Sequence, residues 1–106
     1  MIPSLRDWHE TYGNRGLVII GNHYPEFGYE KNLDQLKDAL VRLNVTYPVL
    51  QDNEGENWKS YNVHYWPTLV LIDMKGQIRF RQIGEGNYDE IEKAIQTLLA
   101  EKVEQE

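Results

Sequence analysis

The chain has 106 residues, of which 41% are hydrophobic and 26% are charged, as is typical of one compact soluble domain. Seventeen acidic side chains against eleven basic ones give a net charge of −6, which argues against nucleic acid or an anionic membrane as a partner, since both are densely negative. The absence of cysteine excludes disulfides, thiolate catalysis, thiolate metal sites and iron–sulfur clusters.

The apolar side chains near the N-terminus recur three or four residues apart, at Ile2, Leu5, Trp8 and Tyr12. This spacing predicts an amphipathic helix, which the glycines at 13 and 16 would end. Residues 17–20 (Leu-Val-Ile-Ile) then form a short apolar run between two glycines. Such a run is typical of a strand that is buried on both faces, as in a parallel sheet.

A polar and aromatic loop leads to Asn32, which with Gln35 is predicted to form a capping box. The apolar face of the helix that follows would consist of Leu33, Leu36, Leu40 and Leu43. Residues 47–50 predict an edge strand, because Pro48 has no N–H for one side of a ladder. Turn residues at 52–55 close this strand, and a brief helix is expected around residues 58–61.

Residues 69–72 and 77–82 predict a β-hairpin around a turn that ends at Gly76. Asn87 and Glu90 then introduce a last helix, and we expect the acidic residues 101–106 to fray as a tail. The predicted domain is therefore residues 1–100. Strands that alternate with helices indicate an α/β fold built on a mixed sheet.

The order of residues 65–73 (Tyr-Trp-Pro-Thr-Leu-Val-Leu-Ile-Asp), followed by Lys75 and Gly76, resembles the most recognisable stretch of thioredoxin-like proteins. Residues 47–52 and 84–86 also resemble the peroxiredoxin-related (AhpC/TSA), TlpA and ResA type of thiol–disulfide oxidoreductase. The resemblance extends from about Ile2 to Leu99. It implies a thioredoxin-like mixed sheet flanked by helices, in a parent family that is often periplasmic or membrane-linked.

In that family a central strand comes first, and a Cys-x-x-Cys pair then opens a helix with a proline shortly afterwards. Pro3 is similar to this helix proline, so the resemblance implies cysteines just upstream of Met1 and a fold that lacks its first central strand. Three ways of closing the resulting gap remain open. The flanking strands could pair directly, a second copy could lend a strand in a homodimer, or the natural protein could carry further N-terminal residues.

The resemblance places a substrate groove beside Trp66, Pro67 and Thr68, where an extended peptide would add as a strand. In the family this proline is cis; the simpler alternative is a trans-proline that begins a strand. Glu26 resembles an acidic residue near the cysteine pair. Without a thiol, a solvated carboxylate is the favoured interpretation.

His23 and His64 could approach each other and Glu26, but their spacing matches no known metal pattern, and hydrogen-bonded surface histidines are favoured. We therefore expect no metal and no cofactor. Trp8 and Trp58 are predicted to lie in the core, whereas Trp66 remains open as a binding residue.

Two main hypotheses of function follow. The first is a redox-inactive thioredoxin-like domain that acts as a binding or structural module, with an extended peptide, a protein or a second copy as its partner. The alternative is a fragment of an active thiol–disulfide oxidoreductase whose Cys-x-x-Cys lies upstream of Met1. A third possibility is a degenerate remnant that folds only as an intertwined dimer. From these 106 residues we expect neither a signal peptide nor a transmembrane segment, and the compartment stays undetermined.

Overall fold

The computed structural model of the chain describes residues 1–25 and 32–105. It contains four α-helices and four β-strands within these ranges, in the order α1 Ile2–Tyr12, β1 Gly21–His23, α2 Leu33–Arg42, β2 Val49–Gln51, α3 Glu56–Ser60, β3 Thr68–Ile72, β4 Ile78–Ile83 and α4 Tyr88–Gln105. The predicted succession of elements is confirmed, with shifted boundaries for the first two strands.

The core lies where α1 packs against α4, because the apolar stripes of both helices face each other. Its buried side chains are Trp8, Tyr12, Ile91, Ile95 and Leu99. The buried Tyr12 hydroxyl is satisfied by α4, since it donates to Glu92 Oε1 (3.2 Å) and accepts from Gln96 Nε2 (3.0 Å). Partly buried side chains from both halves of the chain complete this core, namely Leu5, Leu17, Ile19, Leu69, Leu71, Phe80 and Tyr88.

The strands form two separate pairs. β1 pairs in parallel with β2, and β3 pairs in antiparallel fashion with β4. The predicted hairpin is confirmed, with Gly76 at φ 84° in its turn, a left-handed conformation that glycine adopts at little cost. In the described part of the chain no strand joins the two pairs. Direct pairing of the flanking strands, one of the three predicted ways to close the gap, is therefore not observed there.

The prediction that residues 17–20 form a strand buried on both faces is wrong. Leu17 and Ile19 pack against the core, but Val18 is 75% exposed and Ile20 is 58% exposed. No backbone hydrogen bond joins residues 18–20 to any other described residue, and β1 begins only at Gly21. One side of the apolar run thus contacts the core, whereas its other side contacts no described element.

The second helix begins as predicted, because the Asn32 side chain accepts a hydrogen bond from the backbone N–H of Gln35 (3.0 Å). No residue of α2 is buried, and Leu33 and Leu43 of the predicted stripe are both largely exposed. This helix therefore contributes little to the core among the described residues.

The prediction that residues 101–106 fray is wrong for most of this segment, because α4 continues to Gln105. Glu101 accepts two hydrogen bonds from the Arg79 guanidinium, at 2.8 and 3.1 Å, which fastens the helix to β4. A bidentate pair of this kind holds both side chains in one geometry.

We expect the loss of one methylene group to lower the free energy of unfolding more at a core position than in the apolar run at residues 17–20. Ile91→Val removes it from a fully buried side chain and should lower the free energy of unfolding by about 0.5–1.5 kcal/mol. The matched control Ile20→Val, at a half-exposed position, should change it by less than about 0.5 kcal/mol. Urea denaturation of both variants measures this, and equal losses would contradict the described core.

Candidate functional site

The predicted groove residues lie at the beginning of β3. The peptide bond between Trp66 and Pro67 is cis, and the carbonyl of Pro67 accepts a hydrogen bond from the backbone N–H of Gly84 (2.7 Å). The Thr68 hydroxyl donates to the carbonyl of Tyr65 (2.6 Å), which closes the bend before the strand. Trp66 is 48% exposed, so its indole is available to a ligand while its backbone is held by the hairpin.

The predicted groove residue Trp66 belongs to an aromatic stack with Tyr24 and Trp58. The ring centres of Trp58 and Trp66 lie 4.2 Å apart, and those of Tyr24 and Trp58 lie 4.8 Å apart. The Trp66 indole N–H also donates to the carbonyl of Tyr24 (3.1 Å). Because Tyr24 follows β1 and Trp66 precedes β3, the stack connects the ends of the two separate sheets.

The prediction that Trp58 is a core residue is therefore wrong, whereas Trp8 is in the core as predicted. Trp58 is half-buried and packs against Tyr24 and Trp66 instead of between α1 and α4. Composition indicates that a tryptophan is buried somewhere, but it does not indicate which of two clusters the ring joins.

Trp58 is positioned by the buried carboxylate of Asp52. Oδ1 of this carboxylate accepts from the backbone N–H of Asn57 (3.3 Å), and Oδ2 accepts from the backbone N–H of Trp58 (3.0 Å). Oδ2 also accepts from Asn22 Nδ2 (3.1 Å), and Asn57 Nδ2 donates back to Asn22 Oδ1 (3.0 Å). Asp52 thus satisfies N–H groups at the start of α3 and fastens that helix to β1.

The environment of Asp52 acts on its pKa in two directions. Burial of the carboxyl group raises the pKa, but the hydrogen bonds from the Asn22 side chain and from the first backbone N–H groups of α3 together outweigh it. The pKa of Asp52 therefore lies below its ordinary value of 3.8, and the carboxylate is ionised at neutral pH.

Of the remaining predicted site residues, Glu26 lies outside the described residues. His64 is exposed, and its Nε2 lies 3.1 Å from Asn62 Oδ1. Within residues 1–25 and 32–105, no group of three or more histidine, aspartate or glutamate side chains could hold a metal ion.

Sequence reasoning did not assign Tyr24 and Asp52 to the site. Asp52 carried a usable signal, because an acidic residue just before a short helix is typical of a cap. Tyr24 carried none, since its contact with Trp66 spans 42 positions of the sequence.

Comparison with known proteins relates this geometry to a known fold. No family model matches the sequence. The protein DipZ of Mycobacterium tuberculosis is 36% identical over 98 residues, which are 92% of this chain and 14% of DipZ. A protein named thiol–disulfide oxidoreductase YkuV, from Bacillus subtilis, is 22% identical over 100 residues, which cover 94% of this chain and 67% of YkuV.

The crystal structure of a thiol–disulfide isomerase from Corynebacterium glutamicum superimposes with a TM-score of 0.83 at 25% identity, over 92% of this chain and 68% of that one. This chain has a thioredoxin-like fold. The resemblance that the motifs predicted is thereby confirmed, as is the mixed α/β architecture that it implied. The thioredoxin-like chain spans only about one seventh of DipZ, and it contains no cysteine.

None of the helices in the described part of this thioredoxin-like chain has the length and apolar character that a membrane crossing requires.

We expect Asp52→Asn to loosen the start of α3, because an amide in this place brings an N–H group against N–H donors. The free energy of unfolding should fall by about 1–2 kcal/mol, and the ring-current shifts of Trp58 and Trp66 in the NMR spectrum should decrease. Asp38→Asn, on the exposed surface of α2, is the matched control and should change neither quantity. Unchanged aromatic shifts in Asp52→Asn would contradict this role of the carboxylate.

The stability difference between wild type and Asp52→Asn should depend on pH. Because the pKa of Asp52 is lowered in the folded state, its stabilising contribution is fully present above pH 3.8 and is lost as the pH falls through the folded pKa. The difference in unfolding free energy between wild type and Asp52→Asn should therefore be constant from pH 7 to pH 5 and should shrink below about pH 4. Urea denaturation between pH 7 and pH 3 measures this difference. A difference that grows on acidification would contradict the lowered pKa of Asp52.

Proposed function

We propose that this chain supplies the substrate groove of a thioredoxin-like thiol–disulfide oxidoreductase domain and binds extended polypeptide beside Trp66 and Pro67. The observation that carries the proposal is the half-exposed Trp66 indole, held on the aromatic stack where β3 begins. An extended segment can pair with an open strand edge while its side chains contact an aromatic surface. Such a segment would meet the chain at residues 65–67, which directly precede β3 and lie outside its ladder with β4.

The chain by itself performs no disulfide exchange under this proposal. Exchange requires a thiolate that attacks a disulfide sulfur, and none of the 106 residues is a cysteine. Acting alone, the chain is then a redox-inactive binding module. The relationship to AhpC/TSA-type proteins remains a prediction from the motifs and does not enter the argument.

A second candidate function is disulfide exchange that is carried out by a pair of cysteines on a segment outside these 106 residues. In this case the present chain would supply the rest of the domain. It is favoured by the gap between the two sheets, where residues 18–20 have no backbone partner among the described residues. An added strand there would supply the missing hydrogen bonds and place the residues that follow it near the start of α1. A strand lent by a second copy of this chain is the competing way to fill the gap, and light scattering at twice the 12.5 kDa chain mass would support that homodimer.

Peptide binding is tested with an unstructured eight-residue peptide that contains no cysteine, titrated into ¹⁵N-labelled protein. We expect the indole N–H resonance of Trp66 to shift, and Trp66→Ala to weaken binding by about 10- to 30-fold, as for a central aromatic contact. The control Tyr61→Ala removes an exposed aromatic ring outside the stack and should leave affinity unchanged. Equal affinities of wild type and Trp66→Ala would overturn the proposed groove.

Exchange is tested by insulin reduction with dithiothreitol. The chain as written should not accelerate the reaction, whereas a hybrid with an apolar strand and a Cys-x-x-Cys segment joined before Ile2 should do so. The same hybrid with both cysteines changed to serine is the control. A folded hybrid that leaves the rate at the level of this control would refute the second candidate function.

A further inference from the structure

An open cavity of about 230 Å³ lies next to the groove, between the segment that leads into β3 and the outer strand β4. Its lining includes His64 and Tyr65 from the first segment and Arg81 and Ile83 from β4. Tyr65 directly precedes Trp66, so the cavity begins one residue away from the proposed peptide site. The hydrogen bond from Thr68 to the Tyr65 carbonyl fixes this boundary.

The chemical character of the cavity comes from Arg81. Within the described residues its guanidinium forms no ion pair and no hydrogen bond, whereas Arg79 on the same strand is paired with Asp73 and Glu101. None of the described residues that line the cavity is acidic. An unpaired guanidinium is therefore available in a chain whose net charge is −6, and its planar donors match a carboxylate.

The other walls of the cavity suit the apolar part of an acidic side chain. Tyr65 is 62% exposed and Ile83 is 55% exposed, so both present carbon surface beside Arg81. Next to them, the imidazole of His64 is oriented by Asn62, whose Oδ1 lies 3.1 Å from Nε2. The combination of apolar walls with one free cation fits the methylene groups and the carboxylate of a glutamate.

We propose that this cavity is a specificity site, in which Arg81 binds the carboxylate of an acidic side chain in the polypeptide that lies beside Trp66 and Pro67. The inference rests on the proposed peptide binding and adds to it the chemical class of the preferred partner. It explains how an acidic chain can select acidic polypeptides locally, since a short-range pair in a partly enclosed site is screened less than the surrounding surface charges.

The test compares two sets of eight-residue peptides that are identical except for one glutamate or one glutamine, placed at each position in turn. At one position the glutamate peptide should bind wild type about tenfold more tightly than its glutamine counterpart. Arg81→Gln should abolish this preference and leave the affinity for the glutamine peptide within about twofold. The control Lys75→Gln removes the same charge at the hairpin turn, away from the cavity, and should preserve the preference.

Equal binding of both peptides at every position would overturn the specificity site and leave the proposed groove intact. If wild type binds neither peptide, N-acetylglutamate N-methylamide is titrated while the amide resonances of residues 62–65 and 81–83 are followed. Shifts that disappear in Arg81→Gln would support the carboxylate site although the groove had failed. An absence of shifts in wild type would overturn the site together with the groove.

Discussion

The arrangement of the described residues depends on one constraint, because no backbone hydrogen bonds join the pair β1–β2 to the pair β3–β4 in that part of the chain. Two strand pairs that share no ladder must be held together by side chains. The packing of α1 against α4 does this from one face, because Leu17 and Ile19 precede the first pair and Leu69 belongs to the second. The aromatic stack does it from the ends of the strands.

This constraint gives Asp52 a structural importance that its place in a turn does not suggest. A single carboxylate caps α3, holds Asn22 of β1 and thereby sets the position of Trp58. Trp58 in turn packs against Trp66, one of the predicted groove residues. The polar network around Asp52 therefore lies beneath the aromatic stack. A substitution in the network should alter the position of Trp66 at the surface.

In our proposal, polypeptide binding by this thioredoxin-like chain is separate from the disulfide chemistry after which YkuV is named. Binding needs a strand edge, an aromatic surface and a complementary charge, all of which described residues can supply. Exchange needs a thiolate, which none of the 106 residues can supply. The proposals for this chain accordingly assign recognition to its own residues and assign exchange to a segment outside them.

The sequence by itself determined the features that depend on near neighbours. Helix spacing predicted α1 and α4, the turn at Gly76 predicted the hairpin, and the motif around Trp66 and Pro67 predicted the fold. Only the tertiary structure decided which faces are covered. An apolar run at residues 17–20 has the same pattern whether one face or both are buried. The rings that Trp58 packs against, and the residues that line a cavity with Arg81, belong to other segments of the chain, which local periodicity does not encode.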